Sequence, residues 1–154
     1  MALLAAAQSA TLFEDIFQVA KLNPEGKKFD RVDRIVCKGE TYEADLFLDI
    51  ASEEYRLRVG DKFTMTLTTT LNLDGTPDAD EYTADGKPNL LDQYDYGMCG
   101  KVFKYEHLSD KRVAAVASFG GLLMLLQGEQ CHLVRIALDQ KVYCLVRKDT
   151  KNTS

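Results

Sequence analysis

Between Phe63 and Leu73 the chain alternates without a break, with Phe63, Met65, Leu67, Thr69, Leu71 and Leu73 on one parity and Thr64, Thr66, Thr68, Thr70 and Asn72 on the other. A helix, with about 3.6 residues per turn, would scatter these apolar residues around its axis, whereas a strand puts them on one face. The threonines support the same reading, because β-branched side chains pack well on a pleated surface and lose rotamer freedom in a helix. Tyr42, Ala44, Leu46, Leu48 and Ile50 alternate with Glu43, Asp45 and Asp49 in the same way, Phe47 being the exception. Half-buried strands of this kind must find partner faces to cover their apolar sides.

Further strands are expected around Leu12 to Val19, Phe29 to Cys37, Tyr94 to Tyr105, Val113 to Phe119, Leu122 to Gln127 and Lys141 to Lys148. Turn signals separate most of them. Asn23-Pro24-Glu25-Gly26 offers a fixed proline φ followed by a glycine free to take positive φ, and Gly60-Asp61 punctuates the chain before the threonine strand. Gly120-Gly121 lies between two apolar runs of nearly equal length, the pattern of a two-residue hairpin. No segment reads as a convincing amphipathic helix, and no repeat is visible. The expected class is all-β, an antiparallel barrel or sandwich; closure into a barrel is favoured because it removes edge strands that would pair with other chains.

At 154 residues the chain is one domain by length, enough to bury roughly 68–70% of its unfolded surface. The barrel is expected over 11–148, with a flexible extension over 1–10, a mobile acidic loop over 74–92 and a flexible tail over 149–154. Net charge is -5, which disfavours a general nucleic-acid binder and points towards protein partners. Cys37, Cys99, Cys131 and Cys144 form no Cys-x-x-Cys pair and are expected to be reduced and mostly buried. The alanine-rich start lacks the basic segment of a signal peptide, and no stretch reaches the roughly 18 apolar residues of a membrane span. An intracellular, soluble protein follows.

Catalytic chemistry finds little footing. The two histidines, His107 and His132, lie in no recognisable motif. Cys131 and His132 are expected to diverge in an extended segment, without the further ligands a metal needs. Ser118-Phe119-Gly120 resembles a nucleophile elbow superficially, but Val116 stands where that turn requires glycine. Asp78, Asp80 and Asp85 miss calcium-loop spacing, since Tyr82 and Thr83 occupy a ligand position and the glycine position. No phosphate loop occurs, and Gly97 with Gly100 completes no dinucleotide fingerprint; those glycines mark a bulge or a close backbone approach. No catalytic, metal or cofactor residue is expected. Lys27, Lys28, Arg31 and Arg34, with Phe29 as a stacking ring, suggest a nucleic-acid face, although alternation splits them, and a charged hairpin edge is the plainer reading. Phe13 and Phe17 read as core.

Several uncommon words stand in order along the chain. They are Leu12-Phe13-Glu14-Asp15-Ile16-Phe17, Pro24-Glu25-Gly26-Lys27-Lys28-Phe29-Asp30-Arg31-Val32, Gly60-Asp61-Lys62-Phe63, Tyr94-Asp95-Tyr96-Gly97-Met98-Cys99-Gly100-Lys101-Val102, Ser118-Phe119-Gly120-Gly121-Leu122-Leu123-Met124 and Val142-Tyr143-Cys144-Leu145. Together they resemble the family of the small β-barrel subunit shared by the eukaryotic nuclear RNA polymerases I, II and III, from about Leu12 to Lys148. The resemblance implies an antiparallel barrel of about eight strands, related to the oligonucleotide/oligosaccharide-binding fold, with a long loop where the acidic stretch lies.

The same resemblance implies a non-catalytic subunit in the nucleus, nucleolus included, that supports polymerase assembly and stability. Its partners would be the largest subunit and other polymerase subunits, with nucleic acid touched only indirectly or weakly, and with no membrane, cofactor or small-molecule substrate. Lys28, Phe29, Arg31, Phe119, Gly120, Gly121 and Leu122 are the expected partner contacts, since motif words without chemistry are usually packing or contact sites. Two rivals stand beside it: an autonomous single-stranded nucleic-acid binder using the basic cluster, and a barrel enclosing a small ligand.

Overall fold

Eight strands form where alternation or a bounded apolar run placed them: β1 (Thr11–Leu22), β2 (Val32–Gly39), β3 (Asp45–Ala51), β4 (Lys62–Thr68), β5 (Tyr96–His107), β6 (Arg112–Phe119), β7 (Leu122–Glu129) and β8 (Lys141–Lys148). The structure is a computed structural model that describes residues 10–26, 30–73 and 89–149. All pairings are antiparallel, and the sheet closes in the order β1-β2-β3-β7-β6-β5-β8-β4. The expected all-β barrel is thus what the chain forms, and it is consistent with the oligonucleotide-binding-fold relationship. The expected extension 1–10, acidic loop 74–92 and tail 149–154 lie mostly outside the described residues. Of these segments, Ala10 accepts the Thr69 N–H, Asp149 donates to the Lys62 carbonyl, and Asp92 caps a 3-10 turn, Leu90–Gln93, through the Asn89 N–H.

Side chains fill the interior. Phe17, Leu46, Leu48, Phe63, Met65 and Leu126 each have 0% exposure. A side chain with no accessible surface borders no water-sized void, so the ligand-enclosing barrel is contradicted, as expected where eight strands leave room only for side chains. Phe17 and Phe63, paired across β1 and β4, stack with ring centroids 6.0 Å apart. One end is plugged by Leu133 and Ile136, which follow β7 through a single helical turn, α1 (Gln130–Leu133).

The threonine strand departs from its pattern in two respects. The ladder stops at Thr68 instead of running on to Leu73, because Thr68 and Thr70 turn their hydroxyls onto neighbouring backbone: the Asn72 N–H donates to Thr70 Oγ1, and Thr68 Oγ1 donates to the Thr70 carbonyl. Leu73 is consequently 41% exposed while Thr70 is 1% exposed. Thr66 and Thr68, on the supposed solvent face, are also buried. Thr66 Oγ1 bonds both Glu14 and Tyr94, the latter from the segment that returns after the 3-10 turn and covers this side of the barrel. Tyr42 likewise falls outside its strand, since Glu43 adopts a positive φ of 54° and β3 begins only at Asp45.

Gly120 and Gly121, at φ 67° and 102°, form the expected two-residue hairpin between Phe119 and Leu122. Gly60, at φ 93°, turns the chain so that its N–H reaches the Val19 carbonyl beside a bulge in β1.

Two of the four cysteines, Cys37 and Cys144, are buried, and two, Cys99 and Cys131, are exposed, which corrects the expectation of mostly buried thiols. Burial pushes the Cys37 and Cys144 thiols up to about 12. In the folded protein an aromatic disulfide reagent at pH 8 should therefore titrate two thiols quickly and the other two only on unfolding. Because the unfolded chain loses these protons nearer the ordinary value of 9.0, it binds fewer protons than the fold above that pH. Stability should fall as pH climbs from there towards 12, as alkaline denaturant titrations would register.

Candidate docking surface

Register fixes which loops share a rim. Leu22 pairs Ile35, Val32 pairs Ala51, and Leu48 pairs Met124, so the β1–β2 turn, the start of β2, the end of β3 and the β6–β7 hairpin lie at one end of the barrel. Of the expected contact residues, this rim holds Arg31, Phe119, Gly120, Gly121 and Leu122; Lys28 and Phe29 lie outside the described residues. Gly120 and Gly121 are exposed at the tip, Leu122 is half-buried against the core, and Phe119 points inward. Phe119 therefore supports the hairpin from beneath. The Arg31 guanidinium projects into solvent and pairs with Glu53 at 3.3 Å, while the Arg31 carbonyl accepts the Ser52 N–H.

Behind this rim sits a polar staple that sequence reasoning missed. Asp49 is almost fully buried on the outer side of β3, where Arg34 grips it through Nε (2.7 Å) and Nη2 (3.0 Å). The same carboxylate accepts the Leu123 N–H at 3.0 Å, just where the β3–β7 ladder ends at Met124. The hydrogen bond and charge of Asp49 raise the Arg34 pKa. Arg34 is thus committed to Asp49, and closure leaves no sheet edge for it to guard, while Lys27, Lys28 and Phe29 of the expected basic cluster lie outside the described residues.

At the opposite rim, Cys131 and His132 do not diverge in an extended segment. They occupy α1, and with Glu129 they bring their donor atoms within 4.8 Å of one another. Gly100 marks a close backbone approach to Ser118, as expected, whereas the atoms close to Gly97 are the side-chain ends of Leu91 and Leu145, and the β5 bulge falls between Val102 and Lys104.

The fold, the filled interior and the ordered motif words can be set against known proteins. Residues 14–148 match the family model described as RNA polymerase Rpb8. The chain belongs to the RNA polymerase Rpb8 family. It is 49% identical over 141 residues to the Dictyostelium discoideum DNA-directed RNA polymerases I, II, and III subunit rpabc3, covering 91% of this chain and 99% of that protein. It is 47% identical over 144 residues to the Arabidopsis thaliana DNA-directed RNA polymerases II, IV and V subunit 8B, covering 92% and 99%. It is 36% identical over 148 residues to the Saccharomyces cerevisiae DNA-directed RNA polymerases I, II, and III subunit RPABC3, covering 91% and 99%. The Rpb8 match embraces both rims, so the hairpin, the Asp49 staple and α1 all fall within the family region.

Proposed function

We propose that this chain is a non-catalytic structural subunit of the nuclear DNA-directed RNA polymerases, serving polymerases I, II and III in the nucleus and nucleolus and docking chiefly on the largest subunit. The observation that carries this reading is that relatives 36–49% identical, matched over 99% of their own length, are named as subunits of several polymerases at once. A chain that serves different enzymes needs one rigid surface that fits a common partner. A closed barrel with a filled interior supplies such rigidity, and the rim bearing Arg31 and Gly120-Gly121 is the surface proposed for it. The non-catalytic part is supported by the Cys37 and Cys144 thiols, which burial holds protonated in the packed interior and so keeps from acting as nucleophiles.

The test is recovery of the tagged chain from nuclear extract, with mass spectrometry of its partners and an assay of templated RNA synthesis. Large subunits of all three enzymes, with synthesis activity, are expected; a free monomer or bare nucleic acid would overturn the reading. Arg31→Glu isolates docking from folding. Its ion pair is exposed on both sides, so the substitution should change stability by no more than about 0.5–1 kcal/mol. Recovery of the large subunits should nevertheless fall several-fold, and undiminished recovery removes Arg31 from the interface.

A further inference from the structure

The rim opposite the proposed docking surface carries a donor set that the subunit role leaves unused. α1 follows β7 directly, and its helical turn separates successive side chains by about 100° where a strand would oppose them by 180°. Cys131 and His132 can therefore reach one point. Glu129, the last residue of β7, keeps extended backbone (φ -67°, ψ 138°), and its carboxylate lies under the thiol, with Cys131 Sγ to Glu129 Oε2 at 3.7 Å. The Tyr42 ring lies against the imidazole with centroids 4.4 Å apart, which restricts the rotation of His132. Its Nδ1 is buried and has no hydrogen-bond partner among the described residues, so the ring holds polar capacity that the fold does not satisfy.

We infer that Glu129, Cys131 and His132 form a surface site for a divalent cation of the zinc class. Thiolate and imidazole select against calcium and magnesium, which take oxygen donors. Two anionic donors and one neutral donor balance a doubly charged ion. Zinc bonds of about 2.0–2.3 Å in a tetrahedron place donor atoms about 3.3–3.7 Å apart. The thiol and carboxylate already meet that spacing, no donor separation exceeds 4.8 Å, and the remaining gap closes by rotamer adjustment of Glu129 and Cys131, both exposed. Three protein ligands leave the fourth position to water. The depression beside Cys131 and His132, lined also by Glu14, Tyr42 and Arg135, gives solvent and ion a path to the site.

The full-length chain, reduced and freed of metal, is titrated with zinc by calorimetry and with cobalt by absorbance. One zinc per chain is expected, with a thiolate-to-cobalt charge-transfer band. Cys131→Ser, His132→Gln and Glu129→Gln should each weaken binding at least about tenfold, the loss already caused by removing a mere supporting partner of a ligand. Cys131→Ser should abolish the band, while Cys99→Ser changes neither reading. Binding that survives Cys131→Ser and His132→Gln, half a zinc per chain with metal-driven dimers, or no saturable binding would each overturn the site.

Discussion

Replacing Gly100 by alanine is expected to destabilise the protein by about 3 kcal/mol or more, the upper range for overpacking a filled interior. A Cβ at Gly100 would collide with the Ser118 carbonyl oxygen, lie 2.8 Å from the Ser118 carbonyl carbon and lie 2.7 Å from Phe119 Cδ1. None of these neighbours can give way cheaply. Ser118 is held in the β5–β6 ladder opposite Lys101, and Phe119 is buried at the base of the hairpin. Two other glycines provide an internal scale. At Gly97 the added Cβ meets the side-chain ends of Leu91 (2.7 Å) and Leu145 (3.1 Å), and at Gly128 it meets the Ala44 Cβ at an ordinary 3.4 Å. Urea midpoints should therefore fall most for Gly100→Ala, by an intermediate amount for Gly97→Ala and least for Gly128→Ala. A Gly100→Ala protein as stable as Gly128→Ala would mean that β5 and β6 do not approach so closely.

That glycine was legible in the sequence as a bulge or a close approach because it interrupts a strand pattern, and the strands themselves were legible too. Alternation identifies a face, and a face identifies a strand; Gly120-Gly121 identifies a hairpin because only glycine takes two successive positive φ values without strain. Strand order is a different kind of information. That β3 pairs β7 and β5 pairs β8 depends on which faces meet across long loops, which no local pattern encodes. The buried carboxylates were equally hidden. Asp15 shares the inward parity of Phe13 and Phe17, but no local pattern shows what satisfies its buried carboxylate, which accepts the N–H groups of Ile16, Thr41 and Tyr42. Asp49 alternates with apolar neighbours and so reads as solvent-facing until the register sets Arg34 and Leu123 against it. The cation site eluded the sequence for a related reason: a four-residue helical turn is too short to show a period, so Cys131 and His132 read as extended.

Asp49 is where the second large loss is expected, and its value lies in the ties it makes across three strands. Asp49→Ala should cost about 2–3 kcal/mol, less than the roughly 3–5 kcal/mol for breaking a fully buried ion pair, because Arg34 is 44% exposed and water compensates it in part. What water compensates less well is the Leu123 N–H, whose ladder partner on β3 the carboxylate replaces. Arg34→Met keeps that acceptor but leaves the buried carboxylate without its counter-charge, and should cost about 3 kcal/mol. Asp49→Asn retains an oxygen for Leu123 and leaves no buried charge, although it loses the charged fork, and should cost less than either. Amide exchange separates the contributions: Leu123 should exchange much faster in Asp49→Ala and nearly normally in Arg34→Met. Because Leu123 lies at the turn-proximal start of β7, just after Gly120-Gly121, fraying there loosens the proposed docking hairpin without emptying the core. Asp49→Ala should accordingly lose polymerase subunits in the recovery assay at temperatures where its barrel remains folded. Equal exchange at Leu123 in both variants would show that the carboxylate serves Arg34 alone.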